Sequence, residues 1–249
     1  MCGRYVMARA VGDLLAEFDA GLEEEFEIPP SWNVAPTDDV PIVLERLIDG
    51  GPVRQLHVAR WGLVPSWAKD LGIGSKMINA RSESVLEKPA FRKAVKTRRC
   101  AVPADGYFEW KQGEGRTKQP YYVHPAEGSG MVFAGLYEWW KDPSKADGDP
   151  ARWMLSTSIL TADTPPPGAE STVFGKLTAL HDRVPLPMSK ETMETWLDPQ
   201  ADDAAALVDL VRDGVKDVAA GWHVDSVGQA VGNVRNNSAD LITPVASLF

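Results

Sequence analysis

Six short runs, "VPIVLERLI", "RQLHVARWGLV", "DGYFEW", "PYYVHP", "MVFAGLYEWW" and "RWMLSTSILT", dominate the middle of the chain. Each is of strand length and rich in aromatic and β-branched residues. Turn chemistry separates them in "DGGP" at Asp49, "KQGEGRTKQ" at Lys111 and "DPSKADGDP" at Asp142. Helical periodicity is confined to "VGDLLAEFD", "AFRKAVKTR", "KETMETWL" and "DDAAALVDLVRD", mostly toward the two ends. The pattern predicts an α+β fold: an antiparallel, barrel-like β-sheet with peripheral helices.

No repeat or low-complexity linker divides the 249 residues, so one domain is expected. No apolar run approaches the roughly 20 residues that cross a bilayer, and the start lacks a basic and then apolar leader. Two cysteines do not make a disulfide framework. These features predict a cytoplasmic protein without membrane contact. The net charge of -9 argues against a general affinity for polyanions. Acid collects, however, in "EEEFE" and "DPQADDAAALVDLVRD", whereas "KPAFRKAVKTRR" is basic, so a local cationic face is compatible with the total.

Cys2 and Cys100 are too far apart, and the four histidines too scattered, for a zinc pattern. Neither GxxxxGK[ST] nor GxGxxG occurs. No metal and no cofactor are expected, and the chemistry must come from side chains.

Four stretches carry candidate residues: Cys2 and Arg4 in "MCGRY", Asn79 and Arg81 in "INARSES", Glu109 in "DGYFEW", and His181 with Arg183 in "LHDRVP". Taken singly, each has a plain structural reading. Cys2 is a small apolar residue at a chain end, and Asn79 and Arg81 form a turn and a surface ion pair. Glu109 alternates with Phe108 and Trp110 and so marks the polar face of a strand. His181 is a hydrogen-bonded residue before a turn.

Together, in this order, and with "SWNVAPT", "RWGLVPSWA", "AFRKAVKTRRCAVPADGYFEWK" and "FAGLYEWW", they resemble the SOS-response-associated peptidase (SRAP) family over essentially the whole chain. Members of that family process abasic sites in single-stranded DNA. The resemblance implies a single SRAP domain over residues 2–249, with Met1 removed by an autopeptidase-like step. Cys2 then carries a free α-amine beside its thiol. At pH 7 such an amine keeps far more of its neutral, nucleophilic form than a lysine does.

The resemblance further implies that Cys2 joins the aldehyde of an abasic site in a Schiff base and a thiazolidine. Glu109 and His181 would move protons and Asn79 would orient the sugar or the amine. Arg4, Arg81 and Arg183 suit phosphate contacts, and Asn33, Trp61 and Trp67 suit base contacts or stacking. Arg92, Arg98 and Arg99 either extend a DNA groove or solvate a helix. Cys100 reads as core, and His57, His124 and His223 are given no role. The expected partner is abasic single-stranded DNA, met by a monomer, at the nucleoid if the cell is bacterial.

After "SILTADT" the chain departs from the family pattern in a longer "PPPGAESTVFGKL", which leaves phosphate contacts around Thr161 open. Two rival readings differ in chemistry. An N-terminal-nucleophile glutamine amidotransferase also begins Met-Cys-Gly, but an "RWATHG"-like segment is absent. A non-covalent single-strand DNA binder would use the same surface with Cys2 incidental.

Overall fold

The computed structural model describes residues 2–23, 26–112, 118–126, 129–167 and 172–246. In chain order the elements are β1 (Tyr5–Met7), α1 (Val11–Phe18), β2 (Gly21–Leu22), β3 (Ser31–Val34), β4 (Asp39–Ile48), β5 (Gly51–Trp61), β6 (Asn79–Arg81), α2 (Ala94–Thr97), β7 (Arg99–Ala104) and β8 (Gly106–Gln112). They continue with β9 (Lys118–His124), β10 (Met131–Lys141), β11 (Trp153–Asp163), α3 (Thr172–Leu180), β12 (Arg183–Pro185), α4 (Lys190–Leu197), α5 (Ala204–Asp213), α6 (Val215–Ala219) and β13 (His223–Ser226).

Strands β5, β4, β7, β10 and β11 pair antiparallel in that order. The ring then closes through a parallel contact of β11 with β5, Ser156 opposite Arg60 and Thr157 opposite Trp61. The barrel is therefore mixed, where the sequence predicted an antiparallel one. Parallel partners come from distant parts of a chain, so spacing along the sequence does not reveal them. The tight β4–β5 hairpin, by contrast, is written locally: Asp49 and Gly50 both have positive φ, 51° and 83°, as its Asp-Gly turn demands.

The seam continues beyond the barrel. β6 runs parallel to β11, with Ile159 opposite Asn79 and Thr161 opposite Arg81. On the other edge of β11, β12 sets Arg183 opposite Asp163. Both flanks of the β11 tip thus carry candidate site residues.

A second sheet, β13-β9-β8-β1-β3, lies against the barrel. Its strands alternate. Tyr5 and Tyr107 join the barrel core, with Tyr5 edge-on to Trp61 at 5.0 Å, while Val6 and Phe108 face a smaller cluster with Tyr122, Val227, Val231 and Leu241. Glu109 shares the period of Tyr107, so it points inward and is only 6% exposed. The strand has no solvated polar face here; both faces are covered.

Helices α4 and α5 cover the barrel's outer side. Trp196 of α4 is fully buried and donates its Nε1–H to the Cys100 carbonyl at 3.0 Å. Arg99 is buried as well, donating to the carbonyls of Val95, Lys96, Trp196, Asp198 and Ala201. It clamps α4 to the barrel and is not available to DNA. In "AFRKAVKTR" the first four residues, 90–93, form turns, and only Ala94–Thr97 are helical, as the short α2. Helix α3 escaped the sequence reading because Thr172, Val173 and Gly175 give it weak intrinsic propensity.

Gly62 leaves β5 with φ 132°, and a Cβ there would lie 2.5 Å from the Gly74 carbonyl oxygen. Its own N–H donates to Thr157 at the barrel seam, 2.8 Å. Gly62→Ala is therefore expected to cost about 3 kcal/mol through overpacking and strain together. A urea midpoint equal to that of the parent protein would contradict this.

Candidate active site

The site is built on β1. Tyr5 faces Tyr107 and Val6 faces Gly106 across the β1–β8 ladder, and the Phe108 N–H donates to the Arg4 carbonyl at 2.9 Å. Continuing that register sets Glu109 opposite Gly3, one residue from Cys2.

Cys2 is fully buried, its Sγ 3.9 Å from the Arg4 carbonyl oxygen. Burial pushes the thiol far above the ordinary cysteine range, and the Glu109 carboxylate adds to the shift. From the seam, Asn79 donates its Nδ2–H to the Cys2 carbonyl at 2.7 Å. The Asn79 Oδ1 is buried without a hydrogen-bond donor. Burial also raises the Tyr107 hydroxyl, with Glu109 and then Cys2 contributing charge. Cys2, Asn79 and Glu109 thus converge from three separate parts of the chain.

His181 follows α3, a helix packed against β8 and β13. Its backbone is fixed at both ends: its N–H donates to Leu177 at 3.0 Å, and its carbonyl accepts from the Thr164 hydroxyl at 2.8 Å. The Arg183 N–H donates to its Nδ1 at 3.0 Å, which leaves Nε2 to carry the proton of the neutral ring. The Asp182 carboxylate oxygen also lies 2.6 Å from Nδ1.

The candidates for DNA contact divide sharply. Arg81 and Trp67 are exposed, Trp67 by 59%. Arg4 is half-buried: Nη1 donates to Asn33 Oδ1 at 2.8 Å and to the Val231 carbonyl at 3.0 Å, and its guanidinium lies 5.9 Å over Trp110. Burial lowers its pKa from the usual arginine value.

Trp61 is fully buried between Tyr5 and the barrel, its Nε1–H donated to Ile78, so no ring face is left for stacking. Arg183 is 7% exposed and holds Glu83 at 2.9 Å, Asp163 at 2.5 Å and the Thr161 carbonyl at 2.7 Å. Burial works against its charge, but the bonds to Glu83 and Asp163 outweigh it and raise the pKa. Its fork is spent inside the protein, and it fixes the β11–β12 edge beside His181. Arg98 pairs with Glu138 at 2.9 Å, leaving Arg92 exposed.

The family model described as "SOS response associated peptidase (SRAP)" matches residues 1–234. The chain is 35% identical over 243 residues to the abasic site processing protein YoqW of Bacillus subtilis, covering 97% of this chain and 99% of that one. It is 31% identical over 251 residues to the abasic site processing protein YedK of Escherichia coli, at 98% and 100% coverage. The chain belongs to the SRAP family. A solved structure from Bacteroides thetaiotaomicron, 22% identical, shares the fold with a TM-score of 0.75 over 98% of this chain and 100% of that one.

In this SRAP chain the sequence reading missed the segment that holds Arg4. Residues 228–245 cross the second sheet, and the Asn33 Nδ2 donates to the carbonyls of Asn236 at 2.8 Å, Asn233 at 3.1 Å and Val231 at 3.4 Å. Asn237 in turn accepts from the Trp32 N–H at 2.7 Å. Asn33, 3% exposed, is a strut between Arg4 and this strap, not a base reader. The only local signal was the Asn-rich "GNVRNN", which by itself predicts a turn.

Among the described residues no cluster of three or more His, Cys, Asp or Glu side chains could hold a metal ion, and no helix is long and apolar enough to cross a membrane. Met1, residues 113–117 of "KQGEGRTKQ" and residues 168–171 of the longer family segment lie outside the described residues.

Proposed function

We propose that this chain, as one domain from Cys2 onward, senses abasic sites in single-stranded DNA and links to them covalently through the N-terminal cysteine. The observation that carries the reading is the burial of Cys2 beside Glu109 with Asn79 bonded to its carbonyl. A frayed terminus has no such environment. Loss of Met1, the peptidase-like step, frees the α-amine in that setting.

The ring-opened deoxyribose presents an aldehyde. The neutral amine attacks its carbon, and the carbinolamine loses water to give a Schiff base. The Cys2 thiol then adds across the C=N bond: sulfur bonds to carbon and the proton passes to nitrogen. The product is a five-membered thiazolidine, a ring that needs amine and thiol on adjacent carbons. Burial keeps the thiol protonated, which favours the amine as first nucleophile and disfavours the thiolate attack of a glutamine amidotransferase.

Glu109 is suited to moving the protons of ring opening and dehydration, and His181 Nε2 to sharing that transfer in the steps that reverse the link. The orphan Asn79 Oδ1 is an acceptor for the amine or a sugar hydroxyl. Arg81 and Trp67, both exposed, are proposed to meet phosphate and base, with Arg4, held by the strap, beside them. Asn33, Trp61 and Arg183 act through the residues they hold.

Denaturing electrophoresis after mixing with abasic single-stranded DNA tests the reading. A band that survives denaturant is expected; a complex that dissolves entirely leaves only a binding module. Glu109→Gln should slow adduct formation by about 100-fold or more, because shape is kept and a proton-transfer group is lost. Equal single-turnover rates would remove Glu109 from the mechanism.

A further inference from the structure

A cavity of about 300 Å³ opens beside the site, between α3, β8 and β13. Lys111, Tyr121, Lys176 and Leu180 line it, with Asp225 and Ser226 on the far wall. Two of these residues adjoin proposed catalytic groups: Tyr121 is the cross-strand neighbour of Glu109, and Leu180 precedes His181. Lys111 stands two residues along β8 from Glu109, on the same face of the strand and about 6.7 Å away.

The charge balance makes the place distinctive. In this acidic chain most buried or half-buried arginines around the site are spent internally: Arg183 on Glu83 and Asp163, Arg99 on carbonyls, Arg98 on Glu138. No described carboxylate pairs with Lys111 or Lys176. The one acid in the cavity, Asp225, is already held by His124 Nε2 at 3.0 Å. Two uncommitted ammonium groups therefore face one concave space, next to a tyrosine ring.

We infer that this cavity takes a phosphodiester of the DNA strand immediately next to the abasic nucleotide, with Lys111 and Lys176 as its cationic contacts. The inference rests on the proposed DNA reading and adds a direction to it. The strand leaves the site on one side, over β8 and under α3, while Arg81 at the seam serves the other side. An ammonium pair gives charge without a fixed fork, which suits a flexible single strand of any sequence.

The test uses a fluorescent single-stranded oligonucleotide with a stable tetrahydrofuran abasic analogue, binding to the Cys2→Ala protein so that crosslinking plays no part. Lys111→Ala with Lys176→Ala should reduce the salt dependence of binding by about 1.4 in the log–log slope, two contacts at about 0.7 each. Replacing flanking phosphates one at a time by neutral methylphosphonates should reveal a position, on one side only, whose loss weakens the parent protein and no longer weakens the double variant. Lys216→Ala, at an exposed position of α6, controls for charge alone and should leave the slope as it was.

An unchanged slope in the double variant, or additive effects at every phosphate, overturns the inference. The wild-type denaturing gel decides the covalent reading separately, so the two can fail independently.

Discussion

An N-terminal extension that survives processing is expected to abolish the denaturant-resistant adduct although Cys2 is still present. The extension turns the α-amine into an amide, whose nitrogen cannot form a Schiff base. A C-terminal tag beyond Phe249 should be harmless. Cys2→Ala keeps the amine and removes the thiol, so a Schiff base can form but cannot close into the ring. The stable adduct should vanish there too, while reduction with borohydride should trap the open imine. Intact mass establishes which proteins have lost Met1. Equal adduct yields from the two tagged proteins would mean that another thiol or a lysine reacts, and the thiazolidine would have to be abandoned.

Asn33→Ala is expected to destabilise the fold by about 3 kcal/mol, because it leaves three carbonyls and an arginine short of partners in a buried place. That is a large share of the roughly 5–15 kcal/mol that holds a domain together. Asn33→Asp sharpens the argument. It keeps the acceptor for Arg4 but sets a carboxylate against the carbonyls of Val231, Asn233 and Asn236. Asp should therefore be no better than Ala, as read from urea midpoints at neutral pH. A fully stable Asp variant would show that the strap is held by other contacts.

Much of the fold was legible because it is written in short range. Strand-length runs rich in aromatic and β-branched residues, set apart by turn residues, marked the six central strands, and the turn at Asp49-Gly50 joins β4 to β5. The parallel seam was not legible, since Thr157 opposite Trp61 is a fact about distant segments. The site shows the same division. Cys2, Asn79, Glu109 and His181 stood out by resemblance, but which cations remain free did not. Arg81 and Arg183 look alike in sequence; one is exposed, whereas the other is consumed by Glu83 and Asp163. Trp61 and Trp67 differ in the same way, one filling the barrel and the other standing in solvent. Composition names the residue types, and only tertiary packing distributes them between core and surface.

The anchoring of Arg4 to Val231 imposes an order in time. The ribosome makes Arg4 227 residues before the Val231 carbonyl to which it is tied. At 5–20 residues per second, roughly 10 to 50 seconds separate the two events. During that interval Asn79, Glu109 and then the last barrel strand, ending at Asp163, are made in turn, and the strap that clasps Arg4 follows them all. On the proposed function, a nucleophile two residues ahead of Arg4, clasped by a carbonyl 227 residues further on, is held in its final setting only once the strap has been made, so that shorter fragments would carry the reagent without its clasp.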